Sequence, residues 1–266
     1  LAPTKALNLH MVKKIIFYLK FLSQGTNKYN IHSPMVHDFI ENILDNSIKY
    51  YSFIGIEHVR SLLLKQNKAI KLKDLGEGSK SIKSSRSTIN TLTKKVQSKP
   101  EKAQILFRMV SFFQKKNILE IGTSLGLTTA YLSKANKNGK VTTIEGDPKV
   151  CSLAQKNFKT LKLKNIELIN QPFDQIIPHL LKNKFDLIFF DGNHSKEATL
   201  RYFYWLVEHA NEDSIFIFDD IYWSNEMKQA WEVICTFDKV MLSLDIFSFG
   251  IVFFKKNREK EHIKLV

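Results

Sequence analysis

The chain has 266 residues, of which 44% are hydrophobic and 25% charged, the balance of a soluble globular protein. This length can hold one α/β domain of ordinary size and an appended segment. No apolar run reaches the ~18 to 20 residues that a membrane helix needs. No small-residue cleavage site follows the short apolar stretch Ile15–Leu22. We therefore expect a protein of the cytoplasm, without a membrane span.

The formal net charge of +14 is concentrated in the first 100 residues, which contain 17 Lys and Arg against 6 Asp and Glu. Such asymmetry is typical of a surface that binds nucleic acid or an anionic membrane, and equally of solvated, lysine-rich faces. The sequence leaves both readings open. Cys151 and Cys235 belong to no metal or redox motif, so we expect no disulfide framework, as in a reducing compartment.

Residues 1–100 are predicted to form a basic, mainly helical segment with a polar loop. Val12–Lys49 has apolar stripes at helical spacing, and the pair Ser33-Pro34 is typical of a helix start. Lys65–Lys99 is rich in lysine and serine, which predicts a loop or a loosely ordered segment. Within it, Asp74–Ser79 looks like a cofactor-binding glycine loop, but its neighbours make a poor strand and a poor helix. We interpret it as a loop that folds over the active site.

From Lys102 onward, short strands rich in Ile, Val and Phe alternate with helices, as in a sheet that is buried on both faces. Repeated β-α units imply a parallel, doubly wound sheet. Two further strands, Val240–Ile246 and Ser248–Phe254, would form a closing hairpin that makes the last strand antiparallel. Residues 101–266 are therefore predicted to be an α/β, Rossmann-like domain. Its first five strands are predicted at Ile118–Ile121, Val141–Glu145, Ile166–Ile169, Phe185–Phe190 and Ser214–Phe218.

A glycine-containing turn follows the first of these strands. Gly122 and Gly126 stand four residues apart, between a strand and a helix. Glycines at such a turn allow a ligand close to the backbone, and a helix N-terminus offers N–H groups. The spacing differs from the G-x-G-x-x-G fingerprint of dinucleotide enzymes. Alone, the pair is equally compatible with an ordinary strand-to-helix turn.

Carboxylates lie at the ends of all five strands. At the end of the second strand, we assign ribose binding to Glu145 and helix capping to Asp147. The carboxyl ends of parallel strands share one edge of a sheet, so these acids should converge on one crevice, where only cations would offset their repulsion. Asp219 and Asp220 would start on opposite faces, so their loop must bend for both to serve one site. The converging acids are Glu120, Glu145, Asp174, Asp191, Asp219 and Asp220.

This ordered set of motifs resembles the metal-dependent O-methyltransferases related to catechol O-methyltransferase, over roughly Lys102–Phe254. The run E-I-G-T-S-L-G-L-T, from Glu120 to Thr128, is similar to the cofactor loop of that family. The resemblance implies an S-adenosylmethionine-dependent methyltransferase of class I that methylates an oxygen of a small molecule. The cofactor-binding residues that it implies are Glu120, Gly122, Thr123, Ser124, Gly126, Glu145, Gly146, Phe173, Asp174 and Asp191.

The resemblance also implies a Mg²⁺ site and a catalytic pair. Asp191, Asp219 and Asp220 occupy the places of the family's metal ligands, with Asp220 in place of an asparagine; oxygen ligands suit Mg²⁺. His194 stands where that family has its catalytic lysine. The pattern also resembles a less characterised branch of class I methyltransferases that has Asp-Gly-x-His at this place. A histidine can act as a general base near neutral pH, or it can be a loop residue bonded to the backbone. We predict that Asp191 and His194 are catalytic.

Two other functions remain compatible with the sequence. One is an RNA methyltransferase that uses the basic N-terminal region; motifs for base-amine or cytosine-carbon methylation are absent. The other is a non-catalytic, cofactor-binding scaffold whose N-terminal helices bind a partner. Tyr222 and Trp223 can wall a planar acceptor or serve packing. A homodimer is also compatible with the sequence.

Overall fold

The computed structural model describes residues 3–45, 47–72, 86–95, 98–256 and 259–266. The strands are β1 (Ala69–Lys71), β2 (Arg86–Thr88), β3 (Asn117–Ile121), β4 (Lys140–Ile144), β5 (Ile166–Ile169), β6 (Leu187–Phe190), β7 (Ile215–Asp219), β8 (Leu242–Asp245), β9 (Phe249–Phe253) and β10 (Glu261–Lys264). The helices are α1 (Pro3–Gln24), α2 (Pro34–Phe39), α3 (Tyr51–Leu64), α4 (Ile89–Lys95), α5 (Pro100–Phe112), α6 (Leu127–Ala135), α7 (Pro148–Thr160), α8 (Phe173–Leu180), α9 (Lys196–Val207) and α10 (Asn225–Thr236).

Eight strands form one sheet in the order β10-β8-β9-β7-β6-β3-β4-β5. Strands β3 to β7 pair in parallel, and β9 is antiparallel to both β7 and β8. The predicted Rossmann-like sheet with a closing antiparallel hairpin is therefore confirmed. Strand β10, which no sequence pattern predicts, extends the sheet by pairing in parallel with β8.

Two helices of the sheet domain begin where the sequence predicts them. The Asp147 carboxylate accepts hydrogen bonds from the backbone N–H groups of Lys149 (2.8 Å) and Val150 (3.0 Å), and Pro148 is the first residue of α7. The Ser195 hydroxyl accepts a hydrogen bond from the N–H of Ala198 at the start of α9. These side chains satisfy backbone donors that have no partner within the helix.

Apolar side chains pack on both faces of the sheet, as its parallel strands require. Helices α8, α9 and α10 cover one face and α5 and α6 the other. The N-terminal segment contributes to both layers: Phe21 of α1 belongs to the first, and Val36 and Phe39 of α2 to the second. The predicted helices of this segment thus join the core of the sheet domain.

The region 65–99 differs from its prediction as a loop. Its described parts contain the antiparallel pair β1–β2 and helix α4, which packs through Ile89 and Leu92 in a cluster with α3. The glycine-containing run Asp74–Ser79 lies outside the described residues. Across the described parts of the chain, no helix has the length and apolarity needed to cross a bilayer.

Helix α1 packs beside the loop that follows β7. The rings of Phe17 and Phe21 lie 5.7 and 6.3 Å from that of Tyr222, which also stacks on Phe247 at 5.0 Å. The Tyr222 hydroxyl donates a 2.5 Å hydrogen bond to the buried Asp245 carboxylate. Tyr222 is therefore a packing residue that fixes this loop against β8.

We expect Tyr222→Phe to lower the free energy of unfolding by about 1–3 kcal/mol, because it removes a hydrogen bond from a buried carboxylate. Urea denaturation measures the change. Tyr51→Phe is a matched control, since this side chain is 92% exposed, and it should stay within about 0.5 kcal/mol of the wild type. Equal midpoints for both variants and the wild type would contradict the stabilising role of this bond.

A carboxyl group is fully buried between β3, β4 and α6. Glu120 accepts hydrogen bonds from the hydroxyls of Thr143 (2.6 Å) and Thr129, and its second oxygen has no hydrogen-bond partner within the described residues. Burial raises the pKa of Glu120 to about 7, against the two hydroxyl bonds, which lower it. The group is therefore held partly protonated near neutral pH.

We expect Glu120→Gln to remove a pH dependence of stability. Between the ordinary pKa of 4.5 and about 7, the folded protein retains a proton on Glu120 that the unfolded chain releases, so the free energy of unfolding falls as pH rises. The variant should gain about 3 kcal/mol relative to wild type across this interval, at about 1.4 kcal/mol per pKa unit. Urea denaturation at several pH values measures the difference.

Glu167→Gln is the matched control for this experiment. The hydrogen bond from Lys140 lowers the pKa of the half-exposed Glu167, so the sign is opposite: the wild type gains stability as pH rises and the variant does not. Solvent screening keeps the control effect small. Parallel curves for wild type and Glu120→Gln would refute the buried, protonated state of Glu120.

Candidate active site at the carboxyl edge of the sheet

The loops that follow β3, β4 and β6 meet at one edge of the sheet. A Cβ atom on Gly122 would lie 2.3 Å from the carbonyl oxygen of Asp191, so these two loops are in direct contact. The N–H of Ser124 donates a 2.8 Å hydrogen bond to Oε2 of Glu145, which joins the first loop to the next strand. The structure thus brings together the glycine turn and the acids that the sequence places far apart.

The glycine turn requires glycine at both of its positions. Gly122 has φ +110° and Gly126 φ +78°, the left-handed region that side chains rarely adopt. A Cβ on Gly126 would lie 2.4 Å from the Phe158 ring of α7. Gly126 is also the N-cap of α6 and provides no capping side chain. The turn therefore brings bare backbone and the start of a helix to the crevice, an arrangement that favours an anionic or polar ligand.

Glu145 is fixed by backbone groups on both sides. Its Oε2 accepts from Ser124 and its Oε1 accepts a 2.9 Å bond from the N–H of Asp147, so Gly146 lies within this tight loop. Burial raises the pKa of Glu145 above its ordinary value, although the backbone hydrogen bonds act in the opposite direction. The hydroxyls of Thr123 and Thr143 form a 2.6 Å hydrogen bond inside the core. Only the backbone of Thr123 is therefore available to contact a ligand.

The residues after β5 reach the same edge from α8. A Cβ on Gly192 would lie 2.6 Å from the Phe173 ring, which also meets Tyr202 edge to face at 6.1 Å. Asp174 is 55% exposed and pairs with Arg201 of α9 at 2.8 Å. Phe173 therefore borders the loop of Asp191, whereas the carboxylate of Asp174 forms an ion pair with Arg201.

Three carboxylates and two basic groups meet where β6 and β7 end. The ammonium group of Lys102 forms an ion pair with Asp219 and lies 3.2 Å from Oδ1 of Asp220. His194 Nε2 lies 3.8 Å from Oδ1 of Asp191. The sequence motifs predict the three acids and the histidine of this cluster, but no motif indicates Lys102, which belongs to α5.

The pKa values in this cluster reflect burial and mutual charge. Burial raises the pKa of Asp191, and the neighbouring Asp219 raises it further. Burial likewise raises the pKa of Asp219. Burial alone would lower the pKa of Lys102, yet the charges of Asp219 and Asp220 raise it. The pKa of Asp220 is lowered, since the charges of Lys102 and His194 outweigh its burial. The ammonium group of Lys102 is therefore charged within this cluster.

This arrangement does not fit the Mg²⁺ site that the resemblance implies for Asp191, Asp219 and Asp220. Within the described residues, no three His, Cys, Asp or Glu side chains are arranged to hold a metal ion. The three acids are close together, but the ammonium of Lys102 lies against Asp219 and Asp220. Magnesium demands near-octahedral oxygen ligands at about 2.0–2.1 Å, and an ammonium among them cannot be a ligand.

A bend in the chain lets the two acids at the end of β7, Asp219 and Asp220, face the same cluster. Asp219 is the last residue of the strand. Asp220 has φ +49°, and its backbone carbonyl accepts a 2.8 Å hydrogen bond from the N–H of Trp223. Aspartate tolerates this left-handed conformation better than most residues. Trp223 is half-buried, with its ring 6.3 Å from that of His194. Of the two aromatic residues of this loop, Trp223 is the one beside the acids.

Comparisons with known proteins agree with this fold. Residues 119–221 match a family described as a methyltransferase domain. The chain is 31% identical over 127 residues to a catechol O-methyltransferase of Niastella koreensis, covering 46% of this chain and 57% of that protein. It is 28% identical over 123 residues to a catechol O-methyltransferase of Mycobacterium tuberculosis, covering 46% and 55%. The chain thus matches little more than half the length of these relatives.

A solved structure extends the likeness beyond that segment. The O-methyltransferase of Bacillus cereus, in complex with S-adenosylhomocysteine, superposes with a TM-score of 0.55 at 19% identity, covering 84% of this chain and 97% of that one. At this identity the match concerns the fold alone. Residues 119–221 are thus similar in sequence to a methyltransferase domain, and the chain has a fold similar to that of an O-methyltransferase.

Proposed function

We propose that this chain transfers the methyl group of S-adenosylmethionine to an oxygen of a small molecule. The observation that carries the proposal is the hydrogen bond between the Ser124 N–H and Glu145, which unites a glycine turn and a carboxylate at the carboxyl edge of a parallel sheet. Ligands bind at this edge in open α/β sheets. The names of the curated relatives support oxygen as the methylated atom and a catechol as the first acceptor to assay.

The residues present fit the cofactor. A Cβ atom on Gly122 would clash with Asp191 and one on Gly126 with Phe158, so both positions require glycine, and we assign the bare backbone of this turn to the polar methionine part. Ser124 and Gly146 flank the carboxylate of Glu145, which retains lone pairs for ribose hydroxyls. Phe173 offers an aromatic face near Gly192 for the adenine. When bound, S-adenosylmethionine supplies the methyl group from a cationic sulfonium.

His194 and Asp191 act on the acceptor in this proposal. His194 accepts the proton of the acceptor hydroxyl, which makes the oxygen nucleophilic, and Asp191, 3.8 Å away, holds the imidazolium that results. Trp223 bounds the space beside His194 and aligns a planar acceptor with the methyl carbon. No step requires a metal ion.

Binding of S-adenosylhomocysteine tests the cofactor half of the proposal. We expect wild-type protein to bind it in calorimetry, and Glu145→Gln to weaken binding by about 10- to 100-fold, as for the loss of charge-assisted hydrogen bonds of about 1.5–3 kcal/mol. Glu167→Gln, on the outer strand β5, is a matched control and should bind as wild type does. A wild-type protein that does not bind S-adenosylhomocysteine would refute the function.

Turnover tests the acceptor half. We expect His194→Asn to lower the rate of methyl transfer to catechol by about 10²- to 10⁴-fold, the usual contribution of a general base, with cofactor affinity unchanged. His179→Asn, on the exposed side of α8, should leave the rate as in wild type. The rates are measured from S-adenosylhomocysteine formation. A His194→Asn variant with the wild-type rate would exclude this histidine as the base.

A further inference from the structure

Lys102 reaches the acids of the candidate site from a different part of the fold. It lies in the first turn of α5, which precedes the sheet domain's first strand, and its side chain is only 18% exposed. The helix is anchored on the sheet face by Leu106 and Met109, both fully buried. The ammonium group is therefore delivered to the strand ends by a rigid element.

Three contacts hold the ammonium in place. It pairs with Asp219, lies 3.2 Å from Asp220, and sits 5.0 Å from the centre of the Phe249 ring of β9. An aromatic face attracts a cation, most strongly where water is excluded. The left-handed backbone of Asp220 turns its carboxylate toward the same point. Side chains from α5, β9, the end of β7 and the residue after it thus build one largely buried cation position.

We propose that the ammonium group of Lys102 takes the place of a divalent metal ion among Asp191, Asp219 and Asp220, so that this site works without a metal. The inference rests on the proposed methyltransferase function. Lys102 is a positioning residue: it offsets the charge of Asp219 and Asp220 and fixes them on the acceptor side of the crevice. A metal ion and this ammonium compete for the same carboxylate oxygens.

Ion binding tests this inference without an acceptor. MnCl₂ and MgCl₂ are titrated calorimetrically into wild type and Lys102→Met, each with and without S-adenosylhomocysteine. The methionine keeps an unbranched stem of similar length beside Phe249 but removes the charge. We expect no metal binding to wild type at millimolar ion, and binding at least about tenfold tighter, or about 1.4 kcal/mol, in Lys102→Met.

Two further variants locate the effect. Adding Asp219→Asn to Lys102→Met should abolish the acquired metal binding, and Lys102→Arg, which keeps a positive charge, should bind metal no better than wild type. Metal binding by wild type that is lost in Asp219→Asn would overturn the inference, even where Lys102→Met fails to fold. Failure of both wild type and folded Lys102→Met to bind metal would overturn it as well. Absence of S-adenosylhomocysteine binding would instead refute the proposed function and leave the ion titrations interpretable.

Discussion

The repulsion among carboxylates at one edge of the sheet is the constraint on which this site depends. Parallel strands bring their carboxyl ends together, and burial raises the pKa of acids that find no partner there. The chain meets the constraint in three ways. Glu120 is held by two threonine hydroxyls with its pKa at about 7, Glu145 accepts backbone N–H groups, and Asp219 and Asp220 pair with Lys102. The three solutions differ in the group that partners the acid: a hydroxyl, a backbone N–H or an ammonium group.

The N-terminal segment contributes to this arrangement by holding α5, the helix of Lys102, in place. The buried Arg108 of that helix donates a 2.5 Å hydrogen bond to the carbonyl of Ile43, in the π-helical turn Ile40–Leu44. Carbonyls at the end of a helix need such partners when they are buried. Val36 and Phe39 of α2 pack in the same layer as α5. Residues before position 50 therefore help to fix the helix that carries Lys102 and support the site as well as the core.

Local patterns predicted most of the fold, because short buried strands and capped helices are encoded by neighbouring residues. Ile166–Ile169 was predicted with the observed bounds, and Asp147 as an N-cap is confirmed. Lys102 was beyond such reasoning. It is one of 40 Lys and Arg residues and lies 117 positions before Asp219, so only the packing of α5 identifies it. Strand β10 was missed for a similar reason: its pairing depends on the free edge of β8.

Asp220 contributes both a left-handed backbone conformation and a negative charge to the site. Asparagine and aspartate both tolerate the left-handed conformation that turns the loop after β7, so the bend alone would allow either residue. Aspartate adds a negative charge, which is stable here because the Lys102 ammonium lies 3.2 Å away. Burial raises the pKa of Asp191 and Asp219, so a cation that approaches them favours their ionised forms and is itself stabilised. In the proposed reaction those cations are the sulfonium and the imidazolium of His194.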